Sequence, residues 1–266
     1  MSSVQLTAPA PVNYRSILYR FRGLLIPALL IALWQYQSTR GSVYAYTFVP
    51  LQNVWLSFVE QAANGVLANN WLASISRAGA GFAIGAILGI TLGSIMALSR
   101  IADLLINPLY HALRQVPLLG WIPLISLVFG NNSQSKVFVI ALAAFYPTVL
   151  HTFEGLRAAD KRHMEVAQVF QAGRWQTFRF VTLPAALPLI FAGLMQATAF
   201  AWLSAIGSEL FFNPGPGLGT LMLNAQSAMR MDILLLYVIV IALTGVGMNA
   251  VVTWLSQYFL RWRSTR

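Results

Sequence analysis

Residues 78–99 read AGAGFAIGAILGITLGSIMALS, a run in which no side chain carries a charge. A helix rises about 1.5 Å per residue and the hydrocarbon layer of a bilayer is about 30 Å thick, so about 20 apolar residues suffice to cross it. The run therefore predicts a helix that spans a membrane.

Glycine recurs at every fourth position within this run. Residues four apart lie nearly along one face of a helix, and a face without side chains allows a neighbouring helix to come close. We expect a packing seam there. Because small residues at this spacing are common in membrane bundles, the pattern predicts structure more than function. The seam consists of Gly81, Gly85, Gly89 and Gly93.

The composition of the whole chain agrees with a membrane protein. Of its 266 residues, 58% are hydrophobic and 9% are charged, which leaves too little polar surface for a soluble globule of this size. Cysteine is absent, which excludes disulfides and thiol catalysis. The net charge is +10, but the basic residues do not form a dense stripe with interleaved aromatics, so we expect no nucleic-acid partner.

Six stretches are apolar enough to be interpreted as membrane spans. They predict an all-α, polytopic helix bundle of about six transmembrane helices. The third contains Arg114, Pro117 and Pro123, so we expect a broken helix there. The stretches cover residues 23–38, 78–99, 104–129, 137–153, 183–210 and 233–259.

The domain organisation follows from these spans. We expect an N-terminal tail (1–22), a first transmembrane helix with an external segment (23–69), a membrane core (70–260) and a basic tail (261–266). The first helix could instead be a cleaved secretory signal, because arginines precede a short apolar run. The absence of a small-residue cleavage pattern after Tyr36 favours a retained anchor.

The distribution of lysine and arginine predicts the orientation. If both ends of the chain are cytoplasmic, twelve basic residues lie at inner helix ends and three at outer ends. Cytoplasmic loops carry the excess of basic residues, so we expect both termini in the cytoplasm. The inner set is Arg15, Arg20, Arg22, Arg100, Arg157, Lys161, Arg162, Arg174, Arg179, Arg261, Arg263 and Arg266, and the outer set is Arg40, Lys136 and Arg230.

The longest cytoplasmic segment, residues 157–182, has its own pattern. Apolar residues recur at helical spacing at 166, 169 and 170, a turn is expected at 172–173, and a second apolar face follows at 175, 178 and 181. This predicts a short pair of amphipathic helices. They could lie on the inner leaflet or fill a groove in another protein.

This segment resembles the EAA loop of ABC importer permeases. The matching strings are EVAQVFQAGRWQ at 165–176 and VTLPAALP at 181–188, in which Gln171 stands where the family usually has glycine. Other strings are similar to the sulfonate, nitrate and taurine type of these permeases. They are LRQVP at 113–117, GWIPL at 120–124, FG at 129–130, SKVF at 135–138 and GLG at 217–219.

The resemblance implies a non-catalytic permease subunit in the inner membrane. It also implies two ABC ATPase subunits that bind ATP and Mg, a second permease copy in a homodimer, and an external solute-binding protein. The chain itself would bind no cofactor and no metal, and it lacks a Gly-x-x-x-x-Gly-Lys-Ser/Thr phosphate loop. The implied ATPase-coupling residues are Glu165, Val166, Ala167, Val169, Phe170, Gln171, Ala172, Gly173 and Arg174.

Charged residues within the hydrocarbon layer are costly and usually face a cavity or a partner. Arg114, Pro117 and Glu209 are therefore candidates for the translocation path. Arg114 would suit an anion such as a sulfonate, nitrate or carboxylate, but it could equally form a structural ion pair with Glu209. Arg77, near the outer surface, is expected to extend toward the interface.

Two other classes of function stay open at this point. An ATP-independent carrier or channel would use the polar loop only as a connection. An intramembrane enzyme would need a nucleophile and a base at bilayer depth, and no serine and histidine occur at convincing helical spacing. The residues do not identify the solute, since nitrate, bicarbonate, sulfonates and even cationic metabolites are compatible with them.

Overall fold

The structure is a computed structural model that describes residues 14–39, 49–158, 165–167, 169–212 and 215–263. Every element assigned within these ranges is helical, which confirms the predicted all-α class. The helices are α1 (Tyr14–Ser38), α2 (Leu51–Ala63), α3 (Val66–Leu98), α4 (Arg100–Arg114), α5 (Ile122–Phe129), α6 (Ser133–Arg157), α7 (Arg174–Thr177), α8 (Leu183–Phe211), α9 (Leu218–Ser227) and α10 (Met231–Phe259). Short 3-10 turns (Leu118–Trp121, Arg261–Arg263) and a π turn (Phe178–Thr182) complete them.

Four continuous helical stretches in the described residues are long and apolar enough to cross a membrane. They are Val66–Leu98, Ser133–Arg157, Arg174–Phe211 and Met231–Phe259. The pair α4 and α5, bent by 95°, makes a fifth if it counts as one span, which confirms the predicted break. Helix α1, which contains the first predicted span (23–38), is not among them.

The chain divides into two compact units, residues 1–57 and residues 58–266. In the first unit, the end of α1 is tied to the segment that begins at Val49. The Trp34 indole N–H donates to the Val49 carbonyl (2.9 Å), and the Leu51 N–H donates to the Gln35 side-chain oxygen (3.2 Å). These bonds fold the segment back onto the last turns of α1.

In the second unit, α3 and α6 run parallel with their backbones in close contact. The four seam glycines of α3 are buried, and each faces α6. A Cβ atom on Gly89 would lie 2.7 Å from the Thr148 Cβ, and one on Gly93 would lie 2.7 Å from the Val149 carbonyl oxygen. No side chain larger than hydrogen fits at these positions without moving a helix apart.

A second face of α6 packs antiparallel against α8 in a similar way. A Cβ on Gly193 would lie 2.6 Å from the Cβ of His151, and one on Gly155 would lie 3.1 Å from the Ala186 carbonyl oxygen. Helix α8 then contacts α10, where the Trp202 indole donates to the Ile241 carbonyl (3.0 Å). Helix α6 is therefore the centre of the unit, enclosed on two sides.

Glu209, near the end of α8, is buried in a fully bonded cluster. One carboxylate oxygen accepts from Arg77 Nη2 (2.6 Å) and from the Ser74 hydroxyl (2.7 Å). The other accepts from the Gly219 N–H (2.8 Å). Both carboxylate oxygens thus have hydrogen-bond donors, which offsets the cost of burying a charge.

The same cluster holds the start of α9. The Gly217 N–H donates to Asn70 Oδ1 (2.6 Å) and the Leu218 N–H donates to Ser74 Oγ (2.9 Å). The first N–H groups of a helix have no partner within the helix, and a carboxylate is favourable there because the helix dipole is positive at that end. A Cβ on Gly217 would lie 2.6 Å from a Glu209 carboxylate oxygen, so the approach requires glycine.

This cluster corrects two sequence-based interpretations. Glu209 pairs with Arg77, so its pairing with Arg114 is wrong. Arg77 does not extend toward an interface, because its side chain is only 11% exposed. The sequence did not show that α3 and α8 face each other where Arg77 and Glu209 lie. Arg114 instead lies at the end of α4, beside the bend.

The glycine seam gives a first prediction. We expect Gly85→Ala to lower the thermal unfolding midpoint in detergent, because the added Cβ would meet the Ala141 carbonyl oxygen, and overpacking typically costs about 1–3 kcal/mol. Gly79→Ala is the matched control, since Gly79 lies on the same helix with nothing within 4 Å of an added Cβ. Equal unfolding midpoints for the two variants would contradict the close packing of α3 on α6 at Gly85.

The buried cluster gives a second prediction. Glu209→Gln leaves Arg77 without its counter-charge, and breaking one side of a buried pair costs about 3–5 kcal/mol. Asp232→Asn is the control, because the Arg230–Asp232 pair has 48% and 17% exposed side chains and pairs near a surface contribute about 0–1 kcal/mol. Thermal unfolding in detergent measures the stability of both variants. An unchanged midpoint in Glu209→Gln would show that the charge of Glu209 is dispensable.

Candidate functional site

The segment that follows α6 forms a short helix with a strained end. Residues 165–167 and 169 are helical, and the Ala172 N–H donates to the Ala167 carbonyl (3.0 Å). Gln171, between them, has φ of 50°, in the left-handed region. This bond together with a left-handed residue is the Schellman pattern that ends helices.

The turn lies two residues earlier than the sequence suggested. It was expected at 172–173, but Gly173 is extended (φ −63°, ψ 159°) and precedes α7, where its N–H donates to the Gln176 side chain (2.9 Å). Gln171 takes the left-handed conformation at the position where the resembling family has glycine. A side chain in that conformation costs about 1–2 kcal/mol.

This short helix exposes apolar side chains. Val169 is 81% exposed and Phe170 is 80% exposed, while Ala167 is buried toward the rest of the unit. Val166 and Glu165 are also exposed. Contiguous exposed apolar groups beside charged residues are typical of a surface that another protein covers. The structure describes all nine predicted coupling residues, while Lys161, Arg162 and His163 lie outside the described residues.

A cavity lies next to this segment. It has a volume of about 670 Å³ and continues from the exposed residues toward the start of α8 and Trp262. Its lining is mostly apolar, with Gln176 and Thr177 as the polar exceptions. The lining residues are Val166, Ala167, Phe170, Ala172, Gln176, Thr177, Phe180, Val181, Pro184, Ala185 and Trp262.

A second cavity, of about 490 Å³, lies at the break between α4 and α5. Arg114 and Pro117 both line it, and Glu209 does not. Among the described residues of its lining, Arg114 carries the one formal charge. The lining residues are Arg114, Gln115, Val116, Pro117, Leu118, Ala143, Tyr146, Pro147, Leu150, Gln196, Phe200, Leu203 and Ser204.

The backbone at the break shows how α4 ends at Arg114. The last turn of α4 tightens through bonds from the Gln115 N–H to the Ala112 carbonyl and from the Val116 N–H to the Leu113 carbonyl (both 3.2 Å). Pro117 follows in an extended conformation (φ −54°, ψ 132°) and has no N–H with which to continue the helix. The cation is therefore at a helix C-terminus, where the dipole favours it.

Sequence reasoning missed the residues that α6 and α8 add to this cavity. Tyr146, Gln196 and Ser204 supply its further polar groups. Each is a polar residue inside an apolar span, which was a usable signal, but only the packing of α6 against α8 shows that they share one space. Within the described ranges, no three histidine, aspartate or glutamate side chains come together to hold a metal ion.

Comparison with known sequences identifies the family. Residues 85–265 match the family described as binding-protein-dependent transport system inner membrane component. The chain is 34% identical to the putative aliphatic sulfonates transport permease protein SsuC of Bacillus subtilis, covering 92% of this chain and 88% of that protein. It is 33% identical to the bicarbonate transport system permease protein CmpB of Synechococcus elongatus (71% and 68%) and 27% identical to the nitrate import permease protein NrtB of Leptolyngbya laminosa (86% and 84%).

Solved structures share the fold. A crystal structure of an amino acid ABC transporter matches with a TM-score of 0.61 and 21% identity, covering 77% of this chain and 97% of that chain. An inward-facing MetNI methionine ABC transporter matches with a TM-score of 0.54 and 18% identity, covering 74% and 96%. The chain therefore belongs to the family of binding-protein-dependent transport system inner membrane components, the permease subunits of ABC importers.

Proposed function

We propose that this permease conducts a small anion past Arg114. We further propose that two ATPase subunits drive it by binding the coupling segment, Glu165–Arg174. The observation that carries the anion proposal is the cavity at the break, in which Arg114 is the one charged residue of the described lining. A cation in a largely apolar space attracts an anion strongly, because the low local dielectric screens charge weakly.

The polar groups around Arg114 suit a solute with several acceptor oxygens. Gln115, Gln196, Tyr146 and Ser204 can each donate a hydrogen bond into the same space. The relatives named for aliphatic sulfonates, bicarbonate and nitrate all concern oxyanions. A sulfonate, bicarbonate or nitrate is therefore the solute class that we propose for this chain.

The coupling proposal rests on the exposed face of the short helix. Phe170 and Val169 project from a turn whose left-handed residue holds their orientation. Large apolar anchors that fill a pocket supply most of the energy of a typical interface. The ATPases bind ATP and Mg, and this subunit performs no chemistry of its own.

The distribution of basic residues supports the proposed orientation. With the coupling segment in the cytoplasm, the Glu209 end of the unit faces outward, and both chain termini lie inside. A solute-binding protein then docks on the outer side, and a second copy of this chain completes a homodimeric pore. The first apolar helix, α1, is retained as a membrane anchor.

Phe170→Ala tests the coupling proposal. We expect at least a tenfold loss of co-purifying ATPase and of solute-stimulated ATP hydrolysis, because truncating an aromatic anchor typically costs about 2 kcal/mol or more of binding. The fold should be unaffected, since the ring is 80% exposed. ATPase retention on the tagged permease measures the effect.

Two variants serve as controls for that experiment. Phe211→Ala removes another exposed ring (61%) at the end of α8 and should retain the ATPase. Gln171→Gly should also retain it, because glycine takes the left-handed turn without strain. Full transport by the permease with no ATPase present would favour an ATP-independent carrier and refute the proposal.

Arg114→Ala tests the anion path. We expect uptake of nitrate, bicarbonate or an alkanesulfonate into proteoliposomes to fall about tenfold or more, while Arg114→Lys retains part of it, because losing a hydrogen bond to a charged group costs about 1.5–3 kcal/mol. Arg100→Ala, at the exposed start of the same helix, is the control and should transport normally. Unchanged anion uptake in Arg114→Ala, or uptake of cations alone, would contradict the proposal.

A further inference from the structure

A second inter-helix ion pair lies where α4 begins and α6 ends. Arg157 Nη2 is 2.6 Å from Asp103 Oδ2. The other oxygen of Asp103 accepts from the Asn107 side-chain amide (2.9 Å), and the Arg157 guanidinium lies 4.4 Å from the centre of the Phe153 ring. Each charged group is therefore held from two directions, which fixes the geometry of the pair.

Helix α4 meets α6 in an apolar cluster that includes Tyr110 and Val149. Two polar contacts add to this packing: the Tyr110 hydroxyl donates to the Tyr146 carbonyl (2.7 Å), and Asp103 pairs with Arg157. Much of the remaining surface of α4 is exposed, including Leu104 and Leu105. The Asp103–Arg157 pair is thus the polar contact at the first turn of α4, beyond the apolar cluster.

The far end of α4 carries the cation of the cavity. Tyr110 lies one turn before Arg114 on the same helix. Asp103 and Arg114 are eleven residues apart on one helix, or about 16 Å at 1.5 Å per residue. The helix is continuous across Pro108, which lies between them, so a displacement of the first turn of α4 also displaces Arg114.

The other member of the pair adjoins the coupling segment. Arg157 is the last residue of α6, and the exposed helix that begins at Glu165 follows eight residues later. The pair is thus a direct polar connection between the end of the helix that leads into the coupling segment and the start of the helix that carries Arg114.

We propose that Asp103 and Arg157 are positioning residues that transmit movement of the coupling segment to Arg114. When the ATPases displace the end of α6, the ion pair carries the start of α4 with it, and α4 reorients the cation in the cavity. This inference rests on the proposed function. Both side chains are partly exposed (Asp103 16%, Arg157 46%), so the pair contributes little to stability and its loss leaves the fold intact.

The experiment compares Asp103→Asn, Arg157→Gln and the exchanged variant Asp103→Arg/Arg157→Asp in the assembled importer. We expect each single variant to bind the ATPase and hydrolyse ATP, while anion uptake per ATP falls about tenfold, within the range typical of coupling between two sites. The exchanged variant should recover part of the uptake per ATP, because the attraction is restored. Recovery no better than in the single variants would overturn the inference.

A second readout follows the movement itself. The chain has no cysteine, so Leu109→Cys, on the exposed side of α4, takes a single environment-sensitive fluorophore before assembly. We expect ATP to change its emission in the wild-type background and to change it little in Asp103→Asn. An equal ATP response in both backgrounds would show that α4 moves without the pair.

The Arg230–Asp232 pair is a close control. Its shortest distance is 2.7 Å and its side chains are 48% and 17% exposed, close to the values for Arg157 and Asp103, but it lies at the start of α10. Asp232→Asn should leave uptake per ATP unchanged, and an equal loss there would refute a specific role for Asp103. If the wild-type chain retained no ATPase, the proposed function would fail and this inference with it, whereas retention with an unaffected Asp103→Asn variant would overturn the inference alone.

Discussion

The close approach of the α3 and α6 backbones is the constraint on which the rest of the membrane unit depends. Side chains on the seam glycines would force the two helices apart, because Ala141, Thr148 and Val149 already occupy that space. With α3 on one side and α8 on the other, α6 is enclosed. The middle of α6, from Ala143 to Leu150, lines the cavity beside Arg114, and its last residue leads into the coupling segment.

The two ends of this unit differ in how their charges are held. At one end, Glu209 is 1% exposed and accepts hydrogen bonds from Arg77, Ser74 and Gly219. Opening this cluster would leave a buried charge unpaired. At the other end, the Asp103–Arg157 pair is partly exposed, and water can replace its bonds at little cost. The physical chemistry therefore makes the first end rigid and leaves the second able to rearrange.

Gln171 indicates where the chain tolerates local strain. Its left-handed backbone ends the short helix and directs Phe170 away from the unit. Residues in unfavourable backbone conformations persist where the surrounding structure holds them, and they cluster at sites that bind or switch. The exposed face and the strained turn lie within the same few residues, which is consistent with a surface shaped for a partner.

The sequence by itself determined the helical class, the membrane setting, the break at Pro117 and the glycine face of α3. These depend on local properties: hydropathy over a helix length, the missing N–H of proline and a spacing of four. Only the tertiary structure decided that Glu209 meets Arg77, that Arg157 meets Asp103 and that Gln171 takes the left-handed turn. The two ion pairs depend on which helices face each other and at what depth. Their members lie more than fifty positions apart, so the local sequence carries no signal of the pairing.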